Sequence, residues 1–346
     1  MKKVFSFAIC IMAAVSLFGC RGEKTVLKVY NAGEYIDTAL ISDFEAENNC
    51  KVVYETFDSN ESMYTKVMSG EKYDVIIPSD YMIERLRKEG FLQEIDKKKL
   101  TNYGELMDGV LSQPFDEGNE YSVPYFWGSV GILYDVTKVD EADLKEGWEI
   151  LKNPKYKEDI YMYDSERDSF MIALKALGYS LNTENRQELD RAYDWLIEQN
   201  SIMDPVYVGD EVIDSMISGN KAMAIVYSGD AAYIMSENEN MRYFEPEEGT
   251  NLWIDGMVIM KSSQNAVLAH RFIDFMIKPE NALKNSEMVG YTSPVKSVFE
   301  ELKETTYKSI NAYVPRQGNT KDEYFRYQDA ETKKYCAELW TKVKSQ

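Results

Sequence analysis

Residues 26–81 read VLKVYNAGEYIDTALISDFEAENNCKVVYETFDSNESMYTKVMSGEKYDVIIPSDY. Val26 to Asn31 is strand-like. Asp37 to Asn49 carries Leu40, Ile41, Phe44 and Ala46 at helical spacing. Lys51 to Phe57 returns to strand. Ser59-Asn60-Glu61 then opens a helix bearing Met63, Tyr64, Val67 and Met68, which stops at Gly70. Tyr73 to Pro78 (YDVIIP) is a buried type of strand. Strand, helix, strand, helix, strand in so short a span requires two right-handed crossovers, and therefore a parallel sheet with helices on its faces.

Upstream, Lys2 and Lys3 precede an uncharged apolar run from Val4 to Phe18, too short to span a bilayer. This is the pattern of a secretory leader. It ends in Leu17-Phe18-Gly19-Cys20, which resembles a bacterial lipobox. Residues 1–19 are expected to be the leader, Cys20 the lipid-bearing first mature residue, and 20–25 a tether. The remainder is then expected to work outside the cytoplasmic membrane, in the periplasm or at the cell surface, held to the lipid.

Downstream, residues 121–135 (YSVPYFWGSVGILYD) are aromatic and then strand-like, as in a chain crossing between lobes. A second α/β lobe is expected from there, with a strand at 160–163, helices at 168–177, 184–199 and 211–218, a strand at 222–227 and a helix from about Gly229. WIDGMVIM at 253–260 reads as a central strand returning to the first lobe, and the tail is helical. At 346 residues the chain exceeds one ordinary core. The expected division is 26–128 plus 255–299 for lobe 1, and 129–254 plus 300–346 for lobe 2.

The net charge is −20, and loss of Lys2 and Lys3 with the leader takes it to −22. Such a field repels nucleic acid and attracts cations, although solubility alone also explains it. His270 is the one histidine and sits in an amphipathic pattern, so a zinc site or a Ser-His-Asp triad has little to draw on. Cys50 and Cys336 remain after the leader and lipid cysteines, which argues against a disulfide framework. No metal and no cofactor are expected, and the protein is expected to be a monomer.

Open α/β sheets bind ligands at the carboxyl ends of their strands. The segments there are Asn31-Ala32-Gly33-Glu34-Tyr35, Ser79-Asp80-Tyr81, Asp164-Ser165-Glu166-Arg167-Asp168 and Tyr227-Ser228-Gly229-Asp230. Trp253 and Asp255 flank the next crossing, and Tyr291 follows Gly290 between helices. Each offers an aromatic, a carboxylate or both, and none is a Gly-rich phosphate cradle. Carboxylates pair with ammonium groups and aromatic faces attract a cation at about 0.5–2 kcal/mol each. A buried carboxylate left unpaired by the wrong ligand costs roughly 3–5 kcal/mol, so carboxylate spacing would select the ligand. The acids at 164–168 are equally suited to capping the helix that follows. Asp255 is harder to explain so, being an acid within an apolar strand. Paired carboxylates such as Glu34 and Asp168 also occur in glycosidases, but no other catalytic group accompanies them here.

Together YNAGEY (30–35), YETFDSNESMYTKV (54–67), YDVIIPSDYMIERLRKEGFLQEID (73–96), YSVPYFWGSVGILYD, WIDGMVIM and GYTSPV (290–295) resemble the polyamine-binding proteins that feed spermidine/putrescine ABC transporters. The resemblance covers nearly the whole mature chain. It implies a periplasmic-binding-protein-like type II fold, two α/β lobes closing on a cleft, and a polyamine and an ABC permease as partners. It also implies ligand roles for Glu34, Tyr35, Ser79, Tyr81, Asp168, Tyr227, Trp253, Asp255, Tyr291 and Gln328, with Asp164 and Glu166 as register alternatives to Asp168. Ala32-Gly33 replaces the family's frequent Trp-Thr, and Tyr227 its Trp. These departures imply a roomier or rebuilt box and leave the preferred polyamine open.

Overall fold

The structure, a computed structural model, describes residues 24–345, so the leader and Cys20 lie outside the described residues. The first half alternates as β1 (Val26–Ala32), α1 (Thr38–Asn48), β2 (Lys51–Phe57), α2 (Asn60–Met68), β3 (Val75–Ile76) and α3 (Asp80–Lys88). Short 3-10 turns lead to β4 (Ser122–Asp135) and, after more of them, to β5 (Ile160–Tyr163) and α4 (Glu166–Ala176). Then come α5 (Arg186–Met203), β6 (Val206–Val208), α6 (Val212–Ile217), β7 (Met223–Tyr227), α7 (Ser228–Glu237), β8 (Met241–Phe244) and β9 (Asn251–Ile259). The tail is α8 (Ala266–Met276), α9 (Pro279–Val289), α10 (Lys296–Glu304), β10 (Glu323–Tyr324) and α11 (Ala330–Lys344).

The strand order is β2-β1-β3-β9-β4-β7-β5-β6, with β10 on β9 and β8 on β4. As the pattern at 26–81 requires, β1 is parallel to both β2 and β3. The second lobe has its own parallel set, in which β5 pairs with β6 and β7. Two long antiparallel strands join the lobes. β4 pairs with β9 from Ser122 to Ser129 and with β7 from Val130 to Tyr134. Pro124 has no amide to give a ladder, and the register shifts between it and Phe126. The chain therefore forms two α/β lobes on either side of a shared ribbon.

Local chemistry sets where the helices begin. Asp37, Ser59, Ser165 and Asp329 accept backbone amides of α1, α2, α4 and α11. Gly290, at φ 87°, ends α9 in the left-handed region and lets Tyr291 turn away from the helix. Three strands were not legible in the sequence: β6, β8 and β10 are two to four residues long and, unlike the equally short β3 and β5, are not buried throughout, so no apolar run marks them. Cys50 and Cys336 are buried free thiols. His270 is buried and structural, since Nδ1 meets the Ala266 carbonyl at 2.6 Å and Nε2 accepts from the Asp96 amide at 2.9 Å. Among the described residues no helix is long and apolar enough to cross a membrane, and no three metal-ligating side chains cluster.

Candidate functional site

A cleft of about 760 Å³ opens between the lobes at the carboxyl ends of β1, β5 and β7, beside the start of α3. Nine of the ten residues singled out from the sequence line it: Glu34, Tyr35, Ser79, Tyr81, Asp168, Tyr227, Trp253, Asp255 and Tyr291. Gln328 is not among the lining residues. The segment before it is drawn onto α3, where Arg326 and the Tyr327 amide bind Glu84, and Phe325 and Lys333 reach the wall instead. Of the register alternatives, Asp164 turns away to Lys344 at 2.9 Å, Glu166 lines the wall, and Asp168 is buried in it.

The aromatic residues form one continuous surface. Ring centroids are 5.0 Å apart for Tyr163–Tyr227, 6.2 Å for Tyr227–Trp253, 5.3 Å for Trp253–Tyr291 and 5.6 Å for Tyr291–Tyr35. Edge-to-face contacts dominate this row, which fixes the tilt of each ring. The Trp253 indole also donates to the Ser129 carbonyl at 3.3 Å.

Each aromatic segment carries an acid whose proton-accepting edge is already engaged. The Tyr35 hydroxyl donates to Asp255 at 2.7 Å, Tyr227 to Asp168 at 2.9 Å, and Tyr291 to Asp230 at 2.8 Å. Tyr163 reaches Asp230 as well, at 3.4 Å. Burial raises the pKa of Asp168 and Asp255 above the usual carboxylate range, although Ser165 and Tyr227 pull the first down and Ser79 and Tyr35 the second. Asp230 is pushed up to about 6, first by burial, with nearby Asp210 adding to the effect. Glu34 stands exposed at the rim with φ 51°, a conformation that costs an ordinary residue roughly 1–2 kcal/mol. Such strain at a cleft residue is consistent with a role in the site.

Asp230 is a cleft acid that the sequence did not single out. It sits in the first turn of α7, where an acid is explained by the helix dipole. Its partner Tyr291 is 61 residues away, so only the fold brings the pair together. Gly229, beside it, holds a clearer signal. A Cβ there would fall within the Tyr291 ring, far inside van der Waals contact. Gly229→Ala is expected to displace that ring, break its bond to Asp230 and lower ligand affinity at least about tenfold, in the range of other overpacking costs. Affinity measured beside a melting curve that stays cooperative would check it.

The raised acids fix the sign of one pH effect. A folded-state pKa above the unfolded value means that folding favours the protonated form. Asp230 therefore helps stability below pH ~4 and loses that contribution as pH rises through about 6. The unliganded protein should melt at a lower temperature at pH 7 than at pH 5, while affinity for a cation should rise roughly tenfold over the same interval as one proton ceases to compete. Scanning calorimetry and titration at both values check the two signs.

A family profile described as bacterial extracellular solute-binding protein matches residues 39–312. The chain belongs to the bacterial extracellular solute-binding protein family. Among the similar relatives of this solute-binding protein is the spermidine/putrescine-binding periplasmic protein of Salmonella typhimurium. It is 34% identical over 276 residues, 79% of this chain and 78% of that protein. The crystal structure of the spermidine/putrescine ABC transporter substrate-binding protein PotD from Streptococcus pneumoniae aligns with a TM-score of 0.81 and 39% identity, over 93% of this chain and 99% of that one. A PotD-type lipoprotein of Treponema pallidum aligns with a TM-score of 0.78 and 25% identity, over 92% and 99%. The solute-binding protein thus has the two-lobe fold that its sequence resemblance implied.

Proposed function

We propose that this solute-binding protein captures a polyamine, putrescine or spermidine, outside the cytoplasmic membrane and delivers it to an ABC permease. One observation supports this most: three cleft carboxyls, buried Asp168 and half-buried Asp230 and Asp255, are each held by a tyrosine hydroxyl along a single aromatic surface. An alkyl diamine or triamine matches that surface, with ammonium groups replacing the tyrosine donors and methylenes lying on the rings. Glu34 and Ser79 assist at the rim, and Tyr35, Tyr227, Trp253 and Tyr291 enclose the carbon chain. Tyr81 contributes through its contacts across the cleft. The names of the Salmonella and Streptococcus relatives point to the same ligand class and to the same kind of transporter.

In this reading the lobes divide at 128/129, 254/255 and 299/300. The exchange of β4 from β9 to β7 at Ser129–Val130 supports the first division, and the packing of α11 on α5 supports placing the tail with lobe 2. The protein acts as a monomer and is tied to the membrane by lipid on Cys20. The basic–apolar leader ending in Gly19-Cys20 supports the anchor, and the Treponema relative is itself described as a lipoprotein. Isothermal titration with putrescine, spermidine and an uncharged four-carbon diol tests the function. Micromolar or tighter binding of an amine, with none of the diol, is expected. Binding of the diol without either amine would refute it.

A further inference from the structure

Tyr81 stands in the cleft wall among the ingredients of another ammonium subsite, namely a ring face and the carboxylates of Glu61 and Glu166. The chain fills that subsite itself. The Arg167 guanidinium lies 3.5 Å from the Tyr81 ring centroid and 5.1 Å from that of Phe325. The Tyr81 hydroxyl donates to Glu61 at 3.2 Å, and Lys333 pairs with Glu61 at 2.9 Å. Burial raises the pKa of Glu166 and nearby Glu61 adds to it, while Arg167 and Lys333 oppose the shift. Among the described lining residues these two are the only Lys or Arg side chains, and both are in this corner. The acids along the rest of the wall, Asp168, Asp230 and Asp255 among them, are matched by none.

Arg167 and Asp168 are neighbours in the first turn of α4, about 100° apart around its axis. One therefore points to Tyr81 and the other to Tyr227. An ammonium entering the Tyr81 corner would meet an occupied ring face and two resident positive charges, at short range and partly out of water. We infer that Arg167, supported by Lys333, is a specificity residue that closes this corner to the ligand, so that the cleft selects a short diamine over a longer triamine. The inference rests on the polyamine reading above.

A strut that merely held the lobes together would strengthen both ligands alike, so the ratio of affinities is the decisive quantity. Putrescine and spermidine are titrated into the wild type, Arg167→Met, Arg167→Lys and Lys333→Met. The wild type is expected to favour putrescine at least tenfold. Arg167→Met is expected to move the ratio of dissociation constants tenfold or more toward spermidine, and Arg167→Lys to restore most of the preference. Lys333→Met gives a smaller shift in the same direction, and serves alone if Arg167→Met does not fold. A wild type that prefers spermidine, or substitutions that weaken both amines equally, would overturn the inference and leave the polyamine reading standing. Failure of the wild type to bind either amine would remove that reading and this inference with it.

Discussion

Asp255→Asn should lower polyamine affinity by about 100-fold or more while leaving the empty protein as stable as before, or slightly more so. The carboxyl lies on the crossing strand β9, held by Tyr35 at 2.7 Å and backed by Ser79. Closure of the lobes around a ligand strips water from this position, so an ammonium placed there must find a full negative charge. Removing one member of a buried, hydrogen-bonded charge pair costs roughly 3–5 kcal/mol, and about 2.7 kcal/mol already corresponds to 100-fold. Asparagine keeps the shape and can still accept from Tyr35. Without ligand the balance reverses. Burial raises the pKa of Asp255, so its charge is a burden on the empty fold. Calorimetric titration beside thermal melting separates the two effects. A large loss of melting temperature, or affinity kept within threefold, would contradict the assignment of Asp255 as the ammonium partner.

The largest expected effect on stability belongs to a residue outside the cleft. The Glu84 side chain of α3 is fully buried. It accepts from Arg326 at 2.7 and 3.0 Å and from the Tyr327 amide at 2.8 Å, and it pairs with Lys88 at 2.9 Å. Burial alone would raise its pKa, but Arg326, the Tyr327 amide and Lys88 together take it down to about 2. Glu84→Ala leaves the Tyr327 amide without an acceptor and the guanidinium without its counter-charge. A loss of about 3 kcal/mol follows, less than the full cost of a sealed pair because Arg326 can still reach water. In melting temperature this is roughly 5–10 °C. A folded pKa below the unfolded value contributes stability above pH ~4.5 and loses it as pH falls toward about 2. The gap between wild type and variant should therefore be full at pH 7 and fall to about a quarter of that at pH 2.5. A gap that did not change with pH would show that packing, not charge, holds the segment.

Legibility in the sequence followed the range of the interactions. β1 to β3 could be read because each buried strand is bounded by a capped helix, and both signals are local. Topology pointed to the loops after the strands, and within them the family resemblance singled out Glu34, Ser79, Asp168 and Tyr227. Asp255 stood out as an acid in an apolar strand. Asp230 did not, because a helix start accounts for it until Tyr291 is seen beside it. The Arg167–Tyr81 contact was hidden for the same reason, as it joins α4 to α3 across the cleft. Gln328 failed in the other direction. Its segment is directed by Glu84, a residue that looks like ordinary helix surface in sequence and is fully buried in the fold.

The ribbon of β4 and β9 has a mechanical consequence. β4 belongs to both sheets at once, pairing with β9 along its first half and with β7 along its second, so the lobes are joined by a hydrogen-bonded leaf spring rather than by slack tethers. Hinging must flex a continuous ladder, which favours small, reversible excursions over wide gaping. Neither lobe can melt without fraying β4, which the other also needs, so heat should disassemble the pair in one cooperative step.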